Sequence, residues 1–227
     1  MFFPEINLQP SLKPTHAPPP GLDLIYRDAS LIAVNKPAGL LAVPGRGAGK
    51  QDCVAGRVQA EFPDALVVHR LDMATSGLLL FARGVEMQRI LSRMFRERAV
   101  QKRYVAVAAG KVEPLSGEID LPLICDWPKR PRQKVDLTSG KPSLTRYRVL
   151  AHDVANDATR VNLEPVTGRT HQLRVHLAAI GHPILGDALY GENTQRMAER
   201  LLLHASMLSF IHPLSGESLS IASDPPF

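Results

Sequence analysis

His69-Arg70-Leu71-Asp72-Met73-Ala74-Thr75-Ser76-Gly77 runs directly into Leu78-Leu79-Leu80-Phe81-Ala82. The apolar run follows a turn signal and reads as a strand buried on both faces. Asp72 is thereby placed at the strand's entrance, with the guanidinium of Arg70 two positions before it. A carboxylate partly screened from water in such a place can act as nucleophile, base or ion-pair partner, and its neighbours decide which. The plainer alternative is a surface ion pair between Arg70 and Asp72 that caps the strand.

Strand and helix signals alternate outward from this run. Leu31-Ile32-Ala33-Val34 predicts a short strand, Pro44 to Lys50 a Gly-rich loop, and Asp52 to Phe62 a helix with Asp52 as its N-cap. Downstream, Met87, Ile90, Leu91, Met94 and Phe95 fall at core-facing helical spacing between Gly84 and Arg98, with Arg89, Arg93 and Arg96 on another face. Val100 to Ala109 alternates, with Val105, Val107 and Ala109 opposite Tyr104, Ala106 and Ala108. Further strands are predicted at Lys134–Leu137, Leu144–Ala151 and Thr159–Glu164, and a short helix at His171–Ile180 closed by Gly181. Successive strands without long helical crossovers favour antiparallel pairing. The expected class is α+β, a mixed, largely antiparallel sheet flanked by helices around a central cleft.

A chain of 227 residues, 44% hydrophobic, can bury one sizeable core, as one domain or at most two closely packed lobes. The formal charge is +5, and Arg83 to Arg103 alone holds seven basic residues against Glu86 and Glu97. A focused excess of this kind suits a phosphate backbone, because each contact releases condensed counterions. Cys53 and Cys125 lack metal or disulfide spacing and agree with a reducing compartment, so the expected location is cytoplasmic. The six prolines among the first twenty residues predict a flexible leader over residues 1–21, ahead of a catalytic domain over 22–227. This leader has no secretion-signal pattern, no run in the chain reaches membrane-spanning length, and no zipper pattern argues against a monomer.

Three common chemistries fail on spacing. Pro44 and Gln51 break a phosphate-loop reading of the Gly45–Lys50 stretch, and no nucleophile elbow is present. The late histidines, His171, His176, His182, His204 and His212, raise a metal-hydrolase reading, but the gap from His171 to His176 turns them about 140° apart on a helix. Structural histidines are expected, with no metal.

His69 to Gly77, Gln101-Lys102-Arg103-Tyr104-Val105-Ala106 and Thr167-Gly168-Arg169-Thr170-His171-Gln172-Leu173-Arg174-Val175-His176 occur in that order. Together with Val34 to Leu40, His182 to Asp187 and Leu201 to Ala205, they resemble the RluA family of RNA pseudouridine synthases over roughly Leu22 to Phe227. Leu121 to Lys134 resembles the RluA branch itself, which is implied to modify both the tRNA anticodon stem-loop and a 23S rRNA hairpin. The expected catalytic domain lacks the S4 RNA-binding domain of some relatives.

The resemblance implies the pseudouridine synthase fold and Asp72 as the nucleophile toward a flipped uridine, at C1′ or at C6. Arg174 matches the residue implied to keep that carboxylate ionised, and Tyr104 the tyrosine implied to stack on the uracil and assist loss of the C5 proton. Arg70 matches the residue implied to fill the space left by the base. Leu203 is the candidate pocket wall, Arg169, Lys36 and the Lys129–Lys134 cluster are candidate phosphate ligands, and His69 joins them as a substrate-binding candidate. No cofactor is implied, since the isomerisation balances by itself. Two other readings remain open: a synthase acting on other uridines, and an RNA-binding or remodelling protein without chemistry.

Overall fold

The computed structural model describes residues 21–227, so the expected leader falls, except for Gly21, outside the described residues. The described chain divides into two compact units. One holds the residues up to Lys102 together with His204–Pro225, and the other holds Arg103–Leu203 with Pro226–Phe227.

The first unit is built on β1 (Leu24–Arg27), β2 (Leu31–Lys36), β3 (Ala65–Val67) and β4 (Ser76–Arg83), with α1 (Val54–Glu61) and α2 (Val85–Arg96) between and after them. Residues 78–82 of β4 have no solvent exposure, as a strand covered on both faces requires. β2 runs antiparallel along one edge of β4 from Gly77 to Ala82. The other edge is shared in series, by β3 at its end and by the start of β11 (Leu203–Ile211), where His204 and Ala205 lie parallel to Ser76 and Gly77. β12 (Ser218–Ala222) closes back on β11. One core is made where Leu31, Ala33, Leu78, Leu80 and Ala82, at strand period two, meet Met87 and Leu91 of α2, with Leu208, Phe210 and Ile221.

In α1 the expected cap is corrected. Cys53, not Asp52, is the N-cap, its Sγ accepting from the Gly56 amide at 3.3 Å. Asp52 stands one residue too early and turns to Arg57 instead, in a 2.7 Å ion pair.

The second unit carries most of β5 (Gln101–Ala109), then β6 (Ser116–Asp120), β7 (Leu123–Cys125), β8 (Gln133–Val135), β9 (Leu144–Asp153), β10 (Ala158–Pro165) and α3 (Gln172–Ala179). β5, β10, β9 and β6 pair antiparallel in that order, while β7 and β8 form a separate hairpin. The α+β expectation holds. β1, β3, β6, β7, β11 and β12 were not legible as strands in the sequence.

Candidate active site

In the first unit the turn bearing Asp72 is fastened from several sides. Asp72 is half-buried, Arg70 beside it is exposed, and Leu71 between them is buried. The Asp72 carbonyl accepts from the Thr75 amide at 3.1 Å, closing the turn that feeds β4. Met73 is exposed as a side chain, yet its carbonyl accepts from the Gly39 amide at 2.8 Å and from the Lys36 ammonium at 3.0 Å.

Lys36 corrects the sequence reading. It has no solvent exposure, and Nζ also donates to the carbonyls of Pro37 and Leu40 at 2.8 and 2.7 Å. An ammonium so enclosed survives burial only because carbonyl oxygens replace its water. Lys36 therefore ties the 37–40 loop to the Asp72 turn and is not placed to contact a phosphate.

His69 is corrected in the same way. Its Nε2 accepts from the Leu80 amide at 2.9 Å, and its ring stacks on Phe95 at 4.5 Å. An amide can only donate, so Nε2 carries a lone pair and the proton is on Nδ1. Burial, with the Lys102 charge adding, pushes the imidazole down to about 3. His69 is thus a neutral strut for β4 rather than a substrate ligand.

Gly77 fixes the far side of the turn. Its φ of 111°, and an added Cβ that would fall 2.3 Å from the Ala205 carbonyl oxygen, make it a position only glycine can fill. Next to it Ser76 Oγ lies 2.8 Å from His204 Nδ1, and His204 Nε2 reaches Ser223 at 3.2 Å.

In the second unit Arg174, on α3, is 4% exposed and forms a two-pronged pair with Asp187, Nε to Oδ2 at 2.8 Å and Nη2 to Oδ1 at 2.7 Å. Burial alone would raise the Asp187 carboxyl. Arg174 and the amides of Leu189 and Tyr190 outweigh it and hold the group below the usual carboxylate range. The sequence reading assigned Arg174 a carboxylate partner but not this one. The only cue was Asp187 itself, at the end of the His182–Asp187 motif.

Gln172 anchors the start of α3, its amide oxygen accepting from Thr167 Oγ1 and the Arg169 amide, its Nε2 donating to Leu144 O and Thr145 Oγ1. Tyr190, unforeseen, lies with its ring 5.2 Å from the Arg174 guanidinium and 5.4 Å from that of Arg132. Its Oη accepts from the Gln133 amide at 2.7 Å and lies 2.8 Å from His171 Nδ1. Burial pushes the phenol up to about 12. Tyr104 is half-buried in β5 opposite Leu163, Leu203 is 3% exposed at the head of β11, and Arg169 is exposed with Nε 3.3 Å from Pro142 O.

The late histidines are held in hydrogen bonds. His176 lies between Thr145 Oγ1 and Leu121 O, His182 Nδ1 is 2.9 Å from Ala109 O, and His212 Nε2 is 3.1 Å from Asp28 Oδ2. Among the described residues no three His, Cys, Asp or Glu side chains converge as a metal site, and no helix is long and apolar enough to cross a membrane.

Residues 30–179 match the family model described as RNA pseudouridylate synthase. The chain is 50% identical over 209 residues to the dual-specificity RNA pseudouridine synthase RluA of Escherichia coli (strain K12), covering 92% of this chain and 95% of that protein. With the protein of the same description from Pasteurella multocida (strain Pm70) it shares 47% over 216 residues, 94% and 98% of the two chains. Among solved structures, human RNA pseudouridylate synthase domain containing 1 superposes with a TM-score of 0.76 at 31% identity, over 91% of this chain and 84% of that one. Human RNA pseudouridylate synthase domain containing 4 gives 0.73 at 25%, over 89% and 88%.

Proposed function

Because this chain belongs to the RNA pseudouridylate synthase family, isomerases that act on RNA, we propose that it converts uridine to pseudouridine in the tRNA anticodon stem-loop and in a hairpin of 23S rRNA. Relatives described as dual-specificity RNA pseudouridine synthases support two substrates, and the resemblance of Leu121 to Lys134 implies which two. The observation that carries the chemistry is the Asp72 turn, held by Lys36 on one side and by the Gly77 contact with β11 on the other.

Asp72 supplies the attacking oxygen, at C1′ or at C6 of the extruded nucleotide. The N1–C1′ bond breaks, the ring turns, C5 bonds to C1′, the C5 proton is lost while N1 takes up a proton, and Asp72 is released unchanged. Atoms balance without a co-reactant. Tyr104 stacks on the uracil and takes part in removing the C5 proton, and Arg174 favours the ionised nucleophile. Arg70, exposed next to Asp72, fills the gap left by the flipped base, offsetting an unstacking cost of a few kcal/mol. Leu203 contributes apolar wall and Arg169 a phosphate contact. The catalytic domain spans residues 22–227, acting as a cytoplasmic monomer.

Asp72→Asn tests the assignment. Pseudouridine formation in an anticodon stem-loop transcript should fall on the order of 10⁴-fold or more, as loss of an essential nucleophile does, while RNA affinity and thermal unfolding stay at wild-type values. A variant that still modifies the transcript at wild-type rate removes Asp72 from the mechanism.

A further inference from the structure

The β7–β8 hairpin ends in an exposed aromatic ring. Trp127 is 67% exposed, and the guanidinium of Arg130 lies 4.1 Å from its ring centre. The hairpin itself is well ordered by its backbone. Cys125 pairs with Gln133 and Ile124 with Lys134, and the tip is closed by Asp126 N to Arg132 O, Lys129 N to Asp126 O and Arg132 N to Lys129 O, at 2.9 to 3.0 Å. None of these bonds needs an indole at 127. The root is fixed as well, because the Gln133 amide donates to Tyr190 Oη, the same phenol whose ring lies against Arg174.

Charge identifies the occupant. Residues 126–134 hold Lys129, Arg130, Arg132 and Lys134 against the single carboxylate of Asp126, and Lys129, Arg130 and Lys134 are exposed. A rigid aromatic face ringed by cations is how proteins hold unpaired nucleotides, with the base on the ring and the phosphates on the cations. An acidic peptide would meet the cations but leave the ring unused.

Resting on the reading of the chain as an RNA-modifying enzyme, we propose that this hairpin is a nucleotide-reading finger: Trp127 stacks on an unpaired base of the RNA while Lys129, Arg130 and Lys134 engage the adjoining phosphates. Arg130, already against one face of the ring, leaves the other face for the base. The finger thus selects loops over continuous duplex.

Trp127 is the only tryptophan of the chain, so its emission reports on this site alone. Wild-type protein is titrated with an anticodon stem-loop and with a blunt duplex of the same stem, binding being followed separately by anisotropy of a terminal fluorophore on the RNA. The stem-loop should quench the indole at saturation and the duplex should not. Trp127→Ala should weaken stem-loop affinity about tenfold or more, with Trp127→Phe recovering part of it, and turnover at saturating RNA should stay near wild type. Unchanged emission at saturating stem-loop, equal quenching by duplex, or wild-type affinity in Trp127→Ala each overturns the finger. So does quenching by polyglutamate in place of RNA, which would assign the patch to a protein partner. If wild-type protein quenches with the stem-loop yet forms no pseudouridine, the enzymatic reading fails and the finger stands.

Discussion

The pair Arg174–Asp187 shows most plainly what a single residue contributes. Two charges that are 4% and 1% exposed are tolerable only together, since removing one partner leaves the other buried and uncompensated. Asp187→Asn should therefore destabilise the protein by about 3–5 kcal/mol, read as a lowered urea midpoint. The pH dependence follows from the depressed carboxyl. The unfolded chain binds the proton at a higher pH than the folded one, so the contribution of the pair is complete above about pH 4 and is lost as pH falls through the folded value. Wild-type stability should thus decline more steeply than that of Asp187→Asn in this acid range, and parallel acid-denaturation curves would contradict it. At this scale the sequence was a partial guide. The resemblance implies catalytic roles for Asp72, Tyr104 and Arg174 and RNA contacts for Lys36 and His69, yet these last two turn inward, because motif membership carries no orientation. A lysine is almost never fully buried, so nothing in the pattern Val34 to Leu40 foretold an ammonium turned inward onto three carbonyls.

Among the elements, α2 and β4 were legible because a single physical demand governs each. α2 turns Met87 and Leu91 to the core and Arg89, Arg93 and Arg96 to solvent, so its 3.6-residue period is intact. β11 was not legible. Its first residues, Leu203, His204 and Ala205, are all buried, which erases alternation, and its parallel placement beside β4 is fixed by Gly77 rather than by its own sequence. β6 offers one buried apolar residue, Ile119, and β7 spans only Leu123–Cys125. α3, expected over His171–Ile180, spans Gln172–Ala179, with a left-handed His171 as an unusual N-cap and with Gln172, Arg174 and His176 buried. Two glycines separate strain from clash. Gly39, at φ 85°, has open space around an added Cβ, so Gly39→Ala should cost about 1 kcal/mol of backbone strain. Gly77→Ala meets the Ala205 backbone at 2.3 to 2.8 Å and must also separate β4 from β11, so its loss should exceed about 3 kcal/mol, with activity lost at temperatures where the protein remains folded. Equal melting temperatures for the two variants would refute the distinction.

For the whole molecule, successive strand signals without long helical crossovers predict the α+β class, and the placement of the basic residues, more than the net charge, suits a phosphate-bearing partner. The division into two compact units was not legible. The dividing points, Lys102/Arg103 and Leu203/His204, lie inside β5 and β11, where no Pro-, Gly- or Ser-rich linker marks them. The charge of +5 makes RNA affinity a function of salt, and α2 carries Arg89, Arg93 and Arg96 exposed on one face. Arg89 is partly neutralised by Glu86 one turn before it, so Arg93 and Arg96 are the expected phosphate contacts on that face. The double variant Arg93→Gln, Arg96→Gln should bind RNA more weakly and flatten the slope of log affinity against log salt by about one to two units, with thermal stability unchanged. An unaltered slope would place the phosphate contacts elsewhere. Lys36 has one further consequence. An amine sealed among carbonyls is invisible to acylating reagents while the chain is closed, whereas exposed lysines such as Lys129 and Lys134 react at once. The slow labelling of that one amine is therefore a clock for how often the Asp72 turn unlatches.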